Sequence, residues 1–246
     1  MSIFRQAVNI PTVASSTANI AAYNGLIPPT PGNSINLTLN GSLVGITGQV
    51  SFISNGYASG LSFTSGLNVS TSTFTIVGTY NGLIIQESLT GPNNNTVYTN
   101  NLFHTIISIS ATGGGVANAF TIGSNYNIAV VLTDGNSKAG LTHPNYTYSI
   151  LLNSLTAGGQ WAAGNAIIYG VSNNAPLSLQ ATSLAYANRP SNYFALPVTG
   201  AALAAITQAQ LNNGIIVQTT YPYAAVIVYL AAGINTTPVY IEISQS

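Results

Sequence analysis

From Gly60 to Val77 the chain reads GLSFTSGLNVSTSTFTIV, two short Thr/Ser/Phe/Val runs with apolar side chains at every second position. That is the period of a strand with one face buried and the other wet. Tyr80-Asn81-Gly82 follows, and an Asn-Gly pair suits a tight hairpin turn because both central residues take positive φ. Leu83 to Leu89 then reads as the return strand, Gly91-Pro92-Asn93-Asn94-Asn95 as a loop, and Thr96 to Thr99 as extended chain. Phe103 to Ser110 alternates once more, while upstream Ile35 to Leu39 alternates ahead of an Asn40-Gly41 turn and Val50 to Ile53 continues the series. The pattern predicts a meander of antiparallel strands.

The flanks differ from this centre. Up to residue 40 the chain carries Pro11, Pro28, Pro29 and Pro31 among small polar residues, a density that opposes a regular central strand or helix. Residues 1–40 are therefore expected as an extended arm or edge segment, lying on a neighbouring subunit or on its own domain. Gly113-Gly114-Gly115 interrupts the alternation and Ala119 to Val131 resumes it, which places a boundary between two β units near 113–127 and divides the remainder into 41–120 and 121–246. In the second unit Tyr126 to Leu132 is a nearly continuous apolar run, and Tyr146 to Leu152, Ala166 to Val171 and Leu177 to Leu184 follow as short strands between Gly-, Asn- and Pro-containing loops. Ala201 to Leu211, with Thr199 as N-cap and Asn213-Gly214 as stop, predicts one short helix around 200–212. Ile215 to Thr219, Ala224 to Leu230 and Val239 to Ile243 close the series. The expected fold is all-β, antiparallel β-sandwich units with a Pro-rich N-terminal arm and one short helix near the C-terminus.

Charge changes the picture. In 246 residues there are three cationic and three acidic side chains, 2% of the chain, against roughly 25% in ordinary soluble domains. Three scattered cations cannot neutralise the several phosphates that a nucleic-acid surface engages, so no nucleic-acid partner is expected. A net charge of zero gives little protection against association, and a chain so composed is suited to assembly. With 46% hydrophobic residues it has enough apolar surface to fold. Cysteine is absent, so no disulfide contributes. The segment MSIFRQAVNIPTVASS holds one Arg and no continuous apolar run, so a secretory signal is not expected. Ala224 to Ala232 is the most apolar stretch and is far short of the roughly 20 residues a spanning helix needs, so no membrane partner is expected.

The inventory for catalysis is small: His104, His143, Asp134, Glu87 and Glu242, besides tyrosines. Acid–base work needs a titratable group close to its partner, a glycosidase needs two carboxylates across one bond, and a serine hydrolase of the common α/β type needs a G-x-S-x-G elbow. None of these patterns is present, and no catalytic, cofactor-binding or metal-binding residue is assigned. Asp134-Gly135-Asn136 has the start of a calcium loop without the remaining carboxylates, and a turn explains it better. Asn-x-Ser/Thr triplets begin at Asn36, Asn68, Asn94, Asn145 and Asn235, as an Asn- and Thr-rich chain contains by chance. His104 is expected as a partly exposed strand residue, His143 as a loop residue before Pro144, and Glu87 as an exposed strand residue. Fourteen tyrosines, among them Tyr146, Tyr148, Tyr221 and Tyr223, together with seven Phe and Trp161, suit interfaces, where a large ring with a polar tip is favoured.

The Gly78-Thr79 pair, the turn ending in Gly82, the strand carrying Gln86-Glu87-Ser88, the Leu89-Thr90-Gly91-Pro92-Asn93 run and the later Phe103 leading into Ile107-Ser108-Ile109 resemble a module of tailed-phage virion proteins. There a GT-x-x-G hairpin with E-x-L-x-G-P is followed by F-x-x-(V/I)-x-S-I; the position after Gly-Thr, usually acidic, is Tyr80 here. The resemblance spans about residues 50–125 and implies a β-sandwich building block of a virus particle. With the low charge it leads to the expectation of a non-enzymatic virion structural protein, a capsid decoration or cement protein made in the host cytoplasm and exposed on the particle, without cofactor. Its expected partners are the major capsid protein or other virion subunits, and further copies in a homo-oligomer. A neck, tail or spike component that binds a receptor or glycan is the alternative, and an extracellular filament a third. So few carboxylates also imply stability nearly flat between about pH 4 and pH 9.

Overall fold

The computed structural model describes residues 5–10, 18–23, 33–52, 57–80, 82–113, 119–132, 146–154, 166–171, 193–195, 215–219, 225–230 and 239–245, with side chains placed between 18 and 124. Among the described residues there are sixteen strands and no helix, and every pairing is antiparallel. The described residues thus form an all-β, antiparallel sandwich fold. The helix expected around 200–212 lies outside the described residues.

A five-stranded sheet carries the centre of the sequence. Its order is β3 (Ser34–Asn36), β9 (Thr105–Thr112), β6 (Thr73–Tyr80) and β7 (Leu83–Thr90), with β4 (Val50–Ser51) paired to the other end of β9. The β6–β7 hairpin closes with Tyr80 opposite Leu83 and Gly82 at φ 79°, as the Asn-Gly pair predicts. On β6 the alternation is complete: Phe74, Ile76 and Tyr80 are buried, while Thr73, Thr75, Val77 and Thr79 face outward. Opposite Val77 and Gly78 the register with β9 slips by one residue, Ile107, and this bulge keeps Ile106 on the buried side with Ile109 and Ala111.

A seven-stranded sheet packs against it. Its order is β13 (Tyr193–Ala195), β12 (Ala166–Val171), β15 (Ala225–Leu230), β10 (Phe120–Leu132), β5 (Ala58–Thr64) and β8 (Thr96–Tyr98), with β2 (Ala21–Tyr23) also on β10. The two sheets meet through rings: Phe63 on β5 lies 5.1 Å from Phe74 on β6, and Phe74 lies 5.0 Å from Phe120 on β10, edge to face. Burying aromatics of this size supplies most of the driving force that holds two sheets face to face. From Ala58 to Phe63 β5 is buried on both faces, and its second face carries Ala58, Gly60 and Ser62 ahead of the half-buried Thr64, small residues that let another layer approach closely.

β10 extends through the region where a boundary near 113–127 is expected. Its register with β5 shifts between Ser124 and Ile128, and beyond that shift it pairs with β15. A third sheet, of four strands, has the order β1 (Arg5–Ile10), β16 (Val239–Gln245), β11 (Tyr146–Ser154) and β14 (Ile215–Thr219). The segment to residue 40, expected as an arm, contributes β1 to β16, β2 to β10 and β3 to β9. Its described parts are sheet edges, consistent with prolines confined to the segments between them.

Candidate interaction face

The outward residues of the five-stranded sheet form rows fixed by register. Thr73 stands between Thr90 and Thr112, Thr75 between Ser88 and Ser110, Val77 between Gln86 and Ser108, and Thr79 between Ile84 and Thr105. Ser34 and Asn36 extend the first two rows on β3, and Ser51 extends the last on β4. The hydroxyls of Thr75 and Ser88 approach to 3.5 Å, which places both on the same face. The result is a sheet face of Thr, Ser, Asn and Gln with no charged residue, whose apolar members are Val77, Ile84 and the half-buried Ile107 at the β9 bulge. Each hydroxyl both donates and accepts a hydrogen bond, so the face matches any surface offering either. Ile84, at the hairpin end, is 74% exposed.

Among the described residues β7 lies at one edge of this sheet and β8 at one edge of the facing one. An open pair of edges invites pairing with another chain unless it is covered or charged. Glu87 meets that need from the inward side of β7: its two carboxylate oxygens accept the backbone N–H of Asn100 at 2.7 Å and of Asn101 at 2.8 Å. Those amides begin the segment that carries the chain from β8 across to β9, so one carboxylate ties the two sheet edges together. Hydrogen bonds to an ionised acceptor are the stronger kind. Glu87 is therefore half-buried and engaged, in contrast to the exposed strand residue expected, because the register of β7 turns it toward the facing sheet rather than outward.

The crossover from Thr99 to His104 is pinned along its length. Thr99 donates its N–H to the Leu61 carbonyl, and its hydroxyl accepts from Leu61 N–H and donates to the Asn101 carbonyl. Leu102 and Phe103 are fully buried, and Phe103 exchanges both backbone hydrogen bonds with Ser59. His104 donates its N–H to the Thr79 carbonyl and accepts from Phe52 N–H, each at 2.8 Å. Its ring stacks on Tyr80 with centroids 4.5 Å apart and 23° between planes. At 6% exposure it is a core residue, not the partly exposed one expected, because the strand that it opens starts inside the sandwich. Burial lowers its imidazole to about 4. Nearby Tyr57 is also buried, beside Phe52; burial pushes its phenol well above the usual range, and its hydroxyl finds no hydrogen-bond partner among the described residues.

His104 and Glu87 hold the same crossover, but each is engaged structurally, and among the described residues no three of His, Cys, Asp and Glu gather as a metal site would need. No described helix is long and apolar enough to cross a membrane. Asp134, His143, Trp161, Tyr221 and Tyr223 lie outside the described residues. Glu242 is placed by its backbone on β16, opposite Ala7 and Leu151, and Tyr146 and Tyr148 on β11, opposite Thr219 and Val217. Sequence reasoning did not single out the outer hydroxyl face; its signal is the Thr/Ser phase of the same alternation whose Phe/Ile phase marks the core.

No family model matches the chain, and no curated protein matches it. Among solved structures, the crystal structure of the STIV MCP aligns with all of this chain and 97% of its own, at 11% identity and a TM-score of 0.20. A likeness at that score carries no argument about fold or role.

Proposed function

We propose that the chain is a non-enzymatic structural subunit of a virus particle, a decoration or cement protein that joins the major capsid protein or other virion subunits through sheet surfaces. The observation that carries this reading is the uncharged hydroxyl face of the five-stranded sheet, a broad, regular surface with nothing on it to perform chemistry and much to make contacts. The 2% charge of the whole chain supports it, since such a chain resists self-association weakly. The resemblance of residues 50–125 to a tailed-phage virion module supports it independently. No cofactor enters the proposal, and neither nucleic acid nor membrane is a proposed partner.

Quantitative mass spectrometry of purified particles tests the reading. Copies in the hundreds, comparable to the major shell protein, are the expected result. A few copies confined to one vertex or the tail would replace it with a neck, spike or receptor-binding role, for which a hydroxyl and amide face is suited to hydrogen-bonding a glycan. Absence from particles would overturn it.

A further inference from the structure

We infer that the outer face of the five-stranded sheet is a contact between copies of this chain, made face to face and sealed by hydroxyl hydrogen bonds. The inference rests on the assembly reading above and names the surface and the partner.

Charge complementarity selects the partner. A surface rich in Lys or Glu laid on this face would lose its hydration and meet no counter-charge, a cost that buried unpaired charges do not recover. A second copy brings the same neutral rows. Thr, Ser, Asn and Gln each donate and accept, so two such faces related by a two-fold axis satisfy one another, as an isologous contact requires. The short side chains let two sheets approach to the usual packing distance of about 10 Å, while Val77 at the centre and Ile84 at the hairpin end supply apolar area.

Area sets the strength. Four strands at about 4.8 Å and eight residues at about 3.3 Å give a face of about 500 Å². Two faces then bury about 1,000 Å², the lower limit for a specific interface. An isolated pair is accordingly weak, and the contact becomes firm only where several are made at once, as in a shell. Because no charge takes part, its strength is independent of ionic strength.

Sedimentation of the full chain over micromolar to hundreds of micromolar concentration, at low and high salt, reads this directly. The wild-type chain is expected to associate with concentration and equally at both salts. Ser88→Lys, at an exposed edge position that leaves the fold intact, sets like charges against each other across the contact and is expected to weaken association at least tenfold at low salt, with partial recovery at about 1 M salt as the repulsion is screened. Thr75→Lys, in the next strand of the same row, gives the same result from the middle of the face. As a second readout the cysteine-free background allows Thr75→Cys, which a short bis-maleimide links to a second copy, whereas Ser42→Cys in an exposed loop does not link. Wild-type association with both lysine variants unaffected, or equal linking at both cysteines, overturns the inference and leaves the assembly reading standing. A chain that stays monomeric throughout and is missing from particles overturns both.

Discussion

His104 shows how one side chain changes the behaviour of a nearly uncharged protein. Its imidazole is held near 4 in the folded state by burial and lies at 6.5 when unfolded. Above pH 6.5 it is neutral in both states and its full contribution is present. As the pH falls from 6.5 toward 4 the unfolded chain takes up the proton first, so stability is lost over that window, by about 3 kcal/mol in total, and this group takes away nothing further below it. The flat profile that composition alone implies thus acquires a step on its acid side. Urea unfolding followed by circular dichroism at pH 7 and pH 4 should show that loss, and His104→Phe, which keeps a ring against Tyr80, should remove most of it; equal midpoints at the two pH values for the wild-type chain would contradict the account. The sequence showed that His104 begins a strand but not that the strand begins inside the core, since burial at a strand end depends on which distant segments lie over it. Phe52 and Ser59 hold its surroundings from about fifty residues away in sequence, and no local pattern records that.

Elements are the scale at which the sequence was most legible. Within the runs between Gly60 and Ser110 apolar residues recur at every second position, and the structure returns those runs as β5, β6, β7 and β9. The Asn-Gly turn likewise returns a two-residue hairpin. What the pattern did not show is how the elements are tied. Glu87 is the clearest case: on the inward phase of β7 it closes the gap to Asn100 and Asn101. Replacing it with Ala should cost about 2 kcal/mol and raise amide exchange at residues 99–104 more than in β6; uniform exchange across both segments would show that the carboxylate does not serve as this tie. Gly78 is a second case, legible as a strand residue but not as a necessity. A Cβ there would run into the Thr105 carbonyl and the Phe103 ring, so Gly78→Ala should lower stability by about 3 kcal/mol in denaturant unfolding, whereas Gly66→Ala, with open space around it, should change it little. The long β10 was legible as extended chain from Ala119 to Val131, but its partners were not. It resumes just after the glycine run that reads as a break, and it pairs with β5 from about sixty residues away and with β2 and β15 from about a hundred.

At the scale of the molecule, the Phe63, Phe74 and Phe120 rings fix the inner faces of two sheets, and the same alternation that builds this core lays Thr and Ser over the outside. A protein with almost no charge then has a broad neutral surface whose natural counterpart is another such surface. The candidate face was present in the sequence as the polar half of a strand pattern, where it reads as ordinary solvated strand; only the register of four strands turns scattered Thr and Ser residues into rows. The measurement that tests this account most directly is an image of purified particles at side-chain resolution, asking what covers Thr75, Val77 and Ser88. The account predicts the outer face of the five-stranded sheet closed against another copy of the chain, repeated over the shell. The same face open to solvent in every copy would contradict it.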